Sequence, residues 1–273
     1  MAGDCHGFYG EKHGMWYAGD KRKRVEIMVS GCIFDMDGLL FDTERIFQNY
    51  WRAIAAERGI VLADSFITEI TGTSGEMMSR ILEKYYHTED GGEIQKDCKE
   101  RVLRHLAKDV PVKTGVVEIL GRCRMLGIKT AVASSSPLRQ IKNNLENAGM
   151  ENCFDALVSG DEVERGKPAP DIFLLAAKRI GIPPGECTVF EDSPHGIEGA
   201  LRAGMKAVMI PDLLPPWEEH RRQIEVYNNL QEAAAAISGN NQRELMIHMA
   251  GNFLAGIGIA LTAGGFFLKR KKQ

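Results

Sequence analysis

Residues 32–44 read CIFDMDGLLFDTE, an apolar run that ends on Asp35 and Asp37 and continues through Gly38 to Asp42 and Glu44. A strand covered on both faces reads as an unbroken apolar run. Val25 to Phe34 takes on that character toward its end, which predicts one buried strand. Carboxylates at the tip of such a strand are unfavourable unless something compensates their charge. Two of them there, one residue apart, point to chemistry rather than packing.

Outward from this strand the pattern changes twice. From Glu44 to about Lys108 it is helical, with Ile46, Phe47, Tyr50, Trp51 and Ile54 on one face of a segment that closes at Gly59. After Pro111, helices and short apolar strands alternate as far as Ser238. Gly127, Gly149, Gly181 and Gly204 each follow a helix, and LQEAAAAIS (230–238) is expected as the last core helix. Alternation of this kind predicts βα units in a parallel sheet. The expected fold class is therefore α/β: a Rossmann-like core (25–43 and 109–238) interrupted after its first strand by a helical cap (44–108).

Ligands of open parallel sheets bind outside the carboxyl ends of the strands. Those ends here bring Asp35 and Asp37, then Ser134, Ser135 and Ser136, then Glu191, Asp192 and Ser193. Lys167 stands before the helix that follows the third strand. The set suits phosphoryl transfer. One carboxylate can attack phosphorus, and a second can protonate the leaving oxygen and later deprotonate water. Several acidic oxygens favour Mg²⁺. An ammonium and a hydroxyl can hold the phosphoryl oxygens.

Four segments carry a resemblance: FDMDGLLFDTE (34–44), VASSSP (132–137), GKPAPDIF (166–173) and VFEDSPHGIEGALRAGM (189–205). In order and spacing they resemble the four motifs of the haloacid dehalogenase superfamily. The likeness covers about Val25 to Ser238 and is nearest to the phosphatase and β-phosphoglucomutase branch with a small helical cap. It implies that Asp35 is the nucleophile, that Asp37 is the general acid/base, and that Ser134, Ser135 and Lys167 bind the phosphoryl group. It also implies Mg²⁺ held by Asp35, the backbone carbonyl of Asp37, and Asp192, with Glu191 beside these ligands. Dehalogenating members lack the second aspartate, so Asp37 speaks against dehalogenation.

Within the branch, a mutase is expected to carry a histidine and an arginine where this chain has Phe47 and Gly75. Hydrolysis of a small phosphate monoester is the favoured activity. Mutase-like transfer and a non-catalytic phosphate-binding membrane scaffold are the alternatives. Residues 65–80, with Thr71, Thr73, Ser74 and Glu76 and few cationic groups, are expected to face the site. They suggest a sugar, polyol or nucleoside as leaving group.

The chain has 273 residues, 44% hydrophobic and 26% charged, with a net charge of -3. That balance is ordinary for a globular protein and offers no nucleic-acid footprint. Six cysteines without a CxxC pair, and no apolar segment at the start, indicate a reduced, cytoplasmic catalytic domain. Residues 1–24 are expected to be a flexible leader and 239–244 a polar linker. The apolar stretch 245–268 ends at KRKK (269–272) and is long enough to cross a hydrocarbon layer about 30 Å thick. It is read as a candidate transmembrane anchor, the alternative being a helix packed on the core or at an oligomer interface.

Overall fold

The computed structural model describes residues 27–239 except 72 and 74. The leader, most of the linker, the candidate anchor 245–268 and Ser74 lie outside the described residues. No described helix is long and apolar enough to cross a membrane.

The expected first strand is broken in two. β1 (Ile27–Val29) and β2 (Gly31–Phe34) are separated by a bend at Ser30. The Ser30 amide donates to the Glu186 carbonyl at 3.1 Å, and its hydroxyl donates to the Glu186 carboxylate at 2.8 Å. β1 therefore leaves the main sheet and pairs in parallel with β8 (Ile237–Gly239). This corrects the other end of the chain too. LQEAAAAIS is not one helix: α9 covers only Leu230–Ala234, and the next residues turn into β8.

Helices α1 (Thr43–Glu57), α2 (Ser65–Ile70), α3 (Gly75–Tyr86) and α4 (Gly91–Leu106) follow β2. The chain then alternates through α5 (Val116–Met125), β3 (Lys129–Ser134), α6 (Leu138–Asn147), β4 (Ala156–Ser159), α7 (Asp171–Ile180), β5 (Cys187–Glu191), α8 (Pro194–Arg202) and β6 (Lys206–Met209). A short β7 (Glu225–Val226), not anticipated from the sequence, completes a six-stranded sheet in the order β4-β3-β2-β5-β6-β7, parallel throughout.

Side-chain alternation along the central strands divides the core into two layers. Cys32, Phe34, Val132 and Phe190 face one layer, shared with α5, α6, α9 and the four inserted helices. Ile33, Ala131, Ala133 and Val189 face the other, against Phe173 of α7 and Ile197 of α8. Because β2 is covered on both sides, its tip is fixed in position. In register, Phe34 pairs with Val132 and with Phe190, so the carboxyl ends of β2, β3 and β5 come out side by side.

Candidate active site

Sheet pairing continues one residue past β2, because the Asp35 amide donates to the Phe190 carbonyl at 3.0 Å. The chain then folds into a tight turn in which the Gly38 amide donates to the Phe41 carbonyl at 2.9 Å. Gly38 has a φ of 84°, a region that L side chains rarely adopt. A Cβ there would lie 2.3 Å from Asp192 Oδ2. Glycine after the aspartate pair thus lets the turn pass against a third acid.

The two strand-tip aspartates have different surroundings. Asp35 is 7% exposed and accepts a hydrogen bond from Lys167 Nζ. Burial pushes its carboxyl up to about 8; Lys167 pulls it down, while Glu191 and Asp37 push it higher. Asp37 is half-buried and sits among hydroxyls. Thr43 Oγ1 donates to its Oδ1 at 2.9 Å, and Ser136 Oγ donates to its Oδ2 at 2.9 Å. Ser134 Oγ also reaches Oδ2, at 3.4 Å. Burial raises the Asp37 carboxyl above its ordinary range against the opposing pull of these bonds.

Lys167 joins the strand ends. Besides Asp35, its ammonium donates to Glu191 Oε1 at 2.7 Å and to the Ala133 carbonyl at 3.1 Å. Burial alone would lower its pKa, but the carboxylates of Asp35 and Glu191 outweigh burial and hold it protonated. The other oxygen of Glu191 accepts from the Ser193 amide at 2.8 Å and from its hydroxyl at 2.9 Å. Both Glu191 oxygens are therefore committed to fixing neighbours. α8 begins so close to Glu191 that a Cβ at Gly196 would fall 1.8 Å from its Oε1.

Asp35, Glu191 and Asp192 each offer a carboxylate oxygen, all within 4.8 Å of one another. Lys167 cannot balance all of that charge. Burial, then Glu191 and Asp35, drive the Asp192 carboxyl well above its usual range. Such a donor set fits a hard, oxygen-seeking cation. The Asp37 carboxylate, held by three hydroxyls, lies outside this trio.

The residues singled out in the sequence thus converge, with Ser135 exposed on the wall of the same cavity. That cavity, of about 610 Å³, is closed on its far side by the inserted helices, through Phe47, Gln48 and Trp51, Thr71 and Thr73, and Gln95 and Lys99. One expectation needs correction. Glu76 does not line the cavity: it is exposed and pairs with Arg80 one turn along α3. Lys99 of α4, outside the segment 65–80, adds a cation to the wall. Gln48, Gln95 and Lys99 lie on polar helix faces, and the sequence does not distinguish a face turned to solvent from one turned to a cavity. His195, packed edge-on against Trp217 at 4.9 Å, was likewise missed.

The sequence profile of the haloacid dehalogenase-like hydrolases matches residues 32–210. The chain belongs to this family. Among its relatives, the phosphorylated carbohydrates phosphatase of Thermotoga maritima is 36% identical over 184 residues, 66% of this chain and 84% of that one. The fructose-1-phosphate phosphatase YqaB of Escherichia coli is 34% identical over 183 residues, 66% of this chain and 95% of that one. Among solved structures, a HAD family hydrolase of Deinococcus radiodurans with bound phosphate and sodium superposes with a TM-score of 0.60. It is 25% identical, with coverage of 84% of this chain and 98% of that one. Within the family this chain is a hydrolase of the phosphatase branch.

Proposed function

We propose that this hydrolase cleaves a small phosphate monoester of a sugar, polyol or nucleoside through an aspartyl-phosphate at Asp35. The Asp35 carboxylate attacks phosphorus as the ester P–O bond breaks. Asp37 gives its proton to the departing alkoxide oxygen. Asp37 then takes a proton from water, the water oxygen attacks phosphorus, and the bond to Asp35 breaks to release inorganic phosphate.

The observation that carries this reading is the unequal setting of the two aspartates. Asp35 is tied to the Lys167 ammonium, which opposes the burial that pushes its carboxyl up to about 8, and a bound cation would hold it ionised for attack. Asp37 is raised by burial and ringed by hydroxyls, and is suited to hold and move a proton. Lys167, bonded to Asp35, and the Ser134 hydroxyl, beside Asp37, line the same cavity and orient the phosphoryl oxygens, with Ser135 nearby. Asp35, Asp192 and the backbone carbonyl of Asp37 would hold Mg²⁺, with Glu191 fixing Lys167 beside them. When bound, the cation offsets repulsion between an anionic nucleophile and an anionic substrate.

The four inserted helices act as a cap that excludes water and selects the leaving group. The names of the relatives, which refer to phosphorylated carbohydrates and fructose 1-phosphate, support a sugar or polyol ester. Phe47 places an apolar ring on the cavity wall where a mutase is expected to carry a histidine, which favours hydrolysis over transfer. The test is phosphate release from a panel of sugar, polyol and nucleoside monophosphates. Preferential release from one such class is expected. Conversion of β-glucose 1-phosphate to glucose 6-phosphate with little free phosphate would contradict the hydrolytic reading.

A further inference from the structure

α1 begins at Thr43, whose hydroxyl is bonded to Asp37 at 2.9 Å. The next residue, Glu44, and Gln48 one turn further on share a face of the helix, and both line the cavity. Among the described residues no hydrogen bond or ion pair engages Glu44, which is half-buried. Gln48 Nε2 is buried without a hydrogen-bond partner. Buried polar groups in folded proteins are ordinarily satisfied, so an orphan amide on the wall of a reaction cavity calls for an occupant. The nearby threonines do not supply it, because Thr71 and Thr73 donate their hydroxyl protons to the carbonyls of Ile67 and Ile70.

We propose that Glu44 and Gln48 form a specificity pair that reads a hydroxyl on the carbon adjacent to the ester carbon of the substrate. A hydroxyl donates one hydrogen bond and accepts others. The Glu44 carboxylate accepts a hydrogen bond from it, and the Gln48 amide donates to its oxygen. Position along α1 sets which hydroxyl is read. Asp37 serves the ester oxygen and is bonded to Thr43 at the start of α1, and Glu44 and Gln48 follow Thr43 along the first two turns, so the group they meet lies next to the scissile bond. Phe47 and Trp51, flanking them on the same wall, cover the carbon skeleton. The ligand class is thus an alkyl phosphate with a vicinal hydroxyl, which includes sugar and polyol phosphates and excludes simple alkyl or aryl esters as good substrates.

This inference rests on the phosphatase reading, and its test separates the two. The full chain with Mg²⁺ is assayed on propane-1,2-diol 1-phosphate and on propyl phosphate, which differ only in the neighbouring hydroxyl. A site built to bond a hydroxyl rejects an analogue that lacks it, and the expected advantage in kcat/KM is about 100-fold, the range for one hydrogen bond to a charged group. Glu44→Met and Gln48→Met, each close in size to the residue replaced, should each bring that ratio toward one. The ratio is internal to each preparation, so partial loss of folded protein does not alter it. Equal kcat/KM for the two esters in the wild-type chain, or an unchanged ratio in both variants, overturns the specificity pair alone. Phosphate release from neither ester, nor from p-nitrophenyl phosphate, overturns the phosphatase reading as well.

Discussion

Lys167 reaches across 132 residues of chain to donate a hydrogen bond to Asp35 at the tip of β2. The contact joins two separate sequence motifs in one buried ion pair, with Glu191 as a third member. A buried charge that loses its partner is far more costly than an exposed one. Lys167→Met should therefore leave two uncompensated carboxylates and destabilise the fold by about 3 kcal/mol in denaturant titration at neutral pH. It should also lower kcat by about 10²–10³, the range for loss of one donor to developing charge. Stability equal to wild type would show that the pair contributes little.

Asp37 is predicted to act on the leaving group. Asp37→Asn keeps the shape of the side chain but cannot cycle a proton. Its loss in kcat should be about 10²–10⁴ on alkyl phosphates and smaller on p-nitrophenyl phosphate, whose leaving oxygen needs little protonation. Kinetics on the two substrates read this directly. An equal loss on both would place Asp37 elsewhere in the reaction.

The alternation of helix and strand after Pro111, and the acids, serines and lysine at the strand ends, were legible because each motif is local in sequence and tied to a buried strand. The break at Ser30 was not legible. It depends on hydrogen bonds to Glu186, far along the chain, and its one local sign, the Ser30-Gly31 pair, is outweighed by the apolar residues on either side. The extent of α9 was obscured in the same way, since β8 exists only because β1 leaves the sheet to meet it. On the substrate side, Thr71 and Thr73 were found because they sit in the loop between α2 and α3. Gln48, Gln95 and Lys99 were overlooked because a polar helix position reads the same against water and against a cavity, whereas Glu76 was polar and in fact faced solvent.

Gly38 offers a test of the turn that shapes the site. Gly38→Ala meets both a positive φ and the Asp192 carboxylate, whereas Gly59→Ala meets a positive φ of 71° with nothing within 4 Å. The conformational cost alone is about 1–2 kcal/mol. Thermal unfolding should show that cost for Gly59→Ala with activity kept, and a larger loss, with activity impaired, for Gly38→Ala. Equal melting temperatures for the two variants would argue against the close approach of Gly38 to Asp192.

Glu44 should leave a mark on stability against pH. Burial, then Asp37 and Asp212, push its carboxyl from 4.5 up to about 7, with Lys113 opposing them. The folded chain therefore holds a proton that the unfolded chain has released between those values. Stability contributed by this group is present at low pH and is lost as pH rises from about 4.5 toward 7. Denaturant titrations of wild type and Glu44→Gln across that range should show a fall in the wild type that is shallower in the variant. A wild-type profile that rises more steeply than the variant's would reverse the sign and contradict the raised value.

Turnover of p-nitrophenyl phosphate by the full chain, measured with Mg²⁺, after EDTA and in Asp35→Asn, bears on the nucleophile and the metal together. Release of p-nitrophenol that needs Mg²⁺, stops with EDTA, returns when Mg²⁺ is restored and is absent from Asp35→Asn is the predicted result. Activity in Asp35→Asn near that of the wild type, or turnover indifferent to EDTA, would contradict a Mg²⁺-dependent phosphatase acting through Asp35.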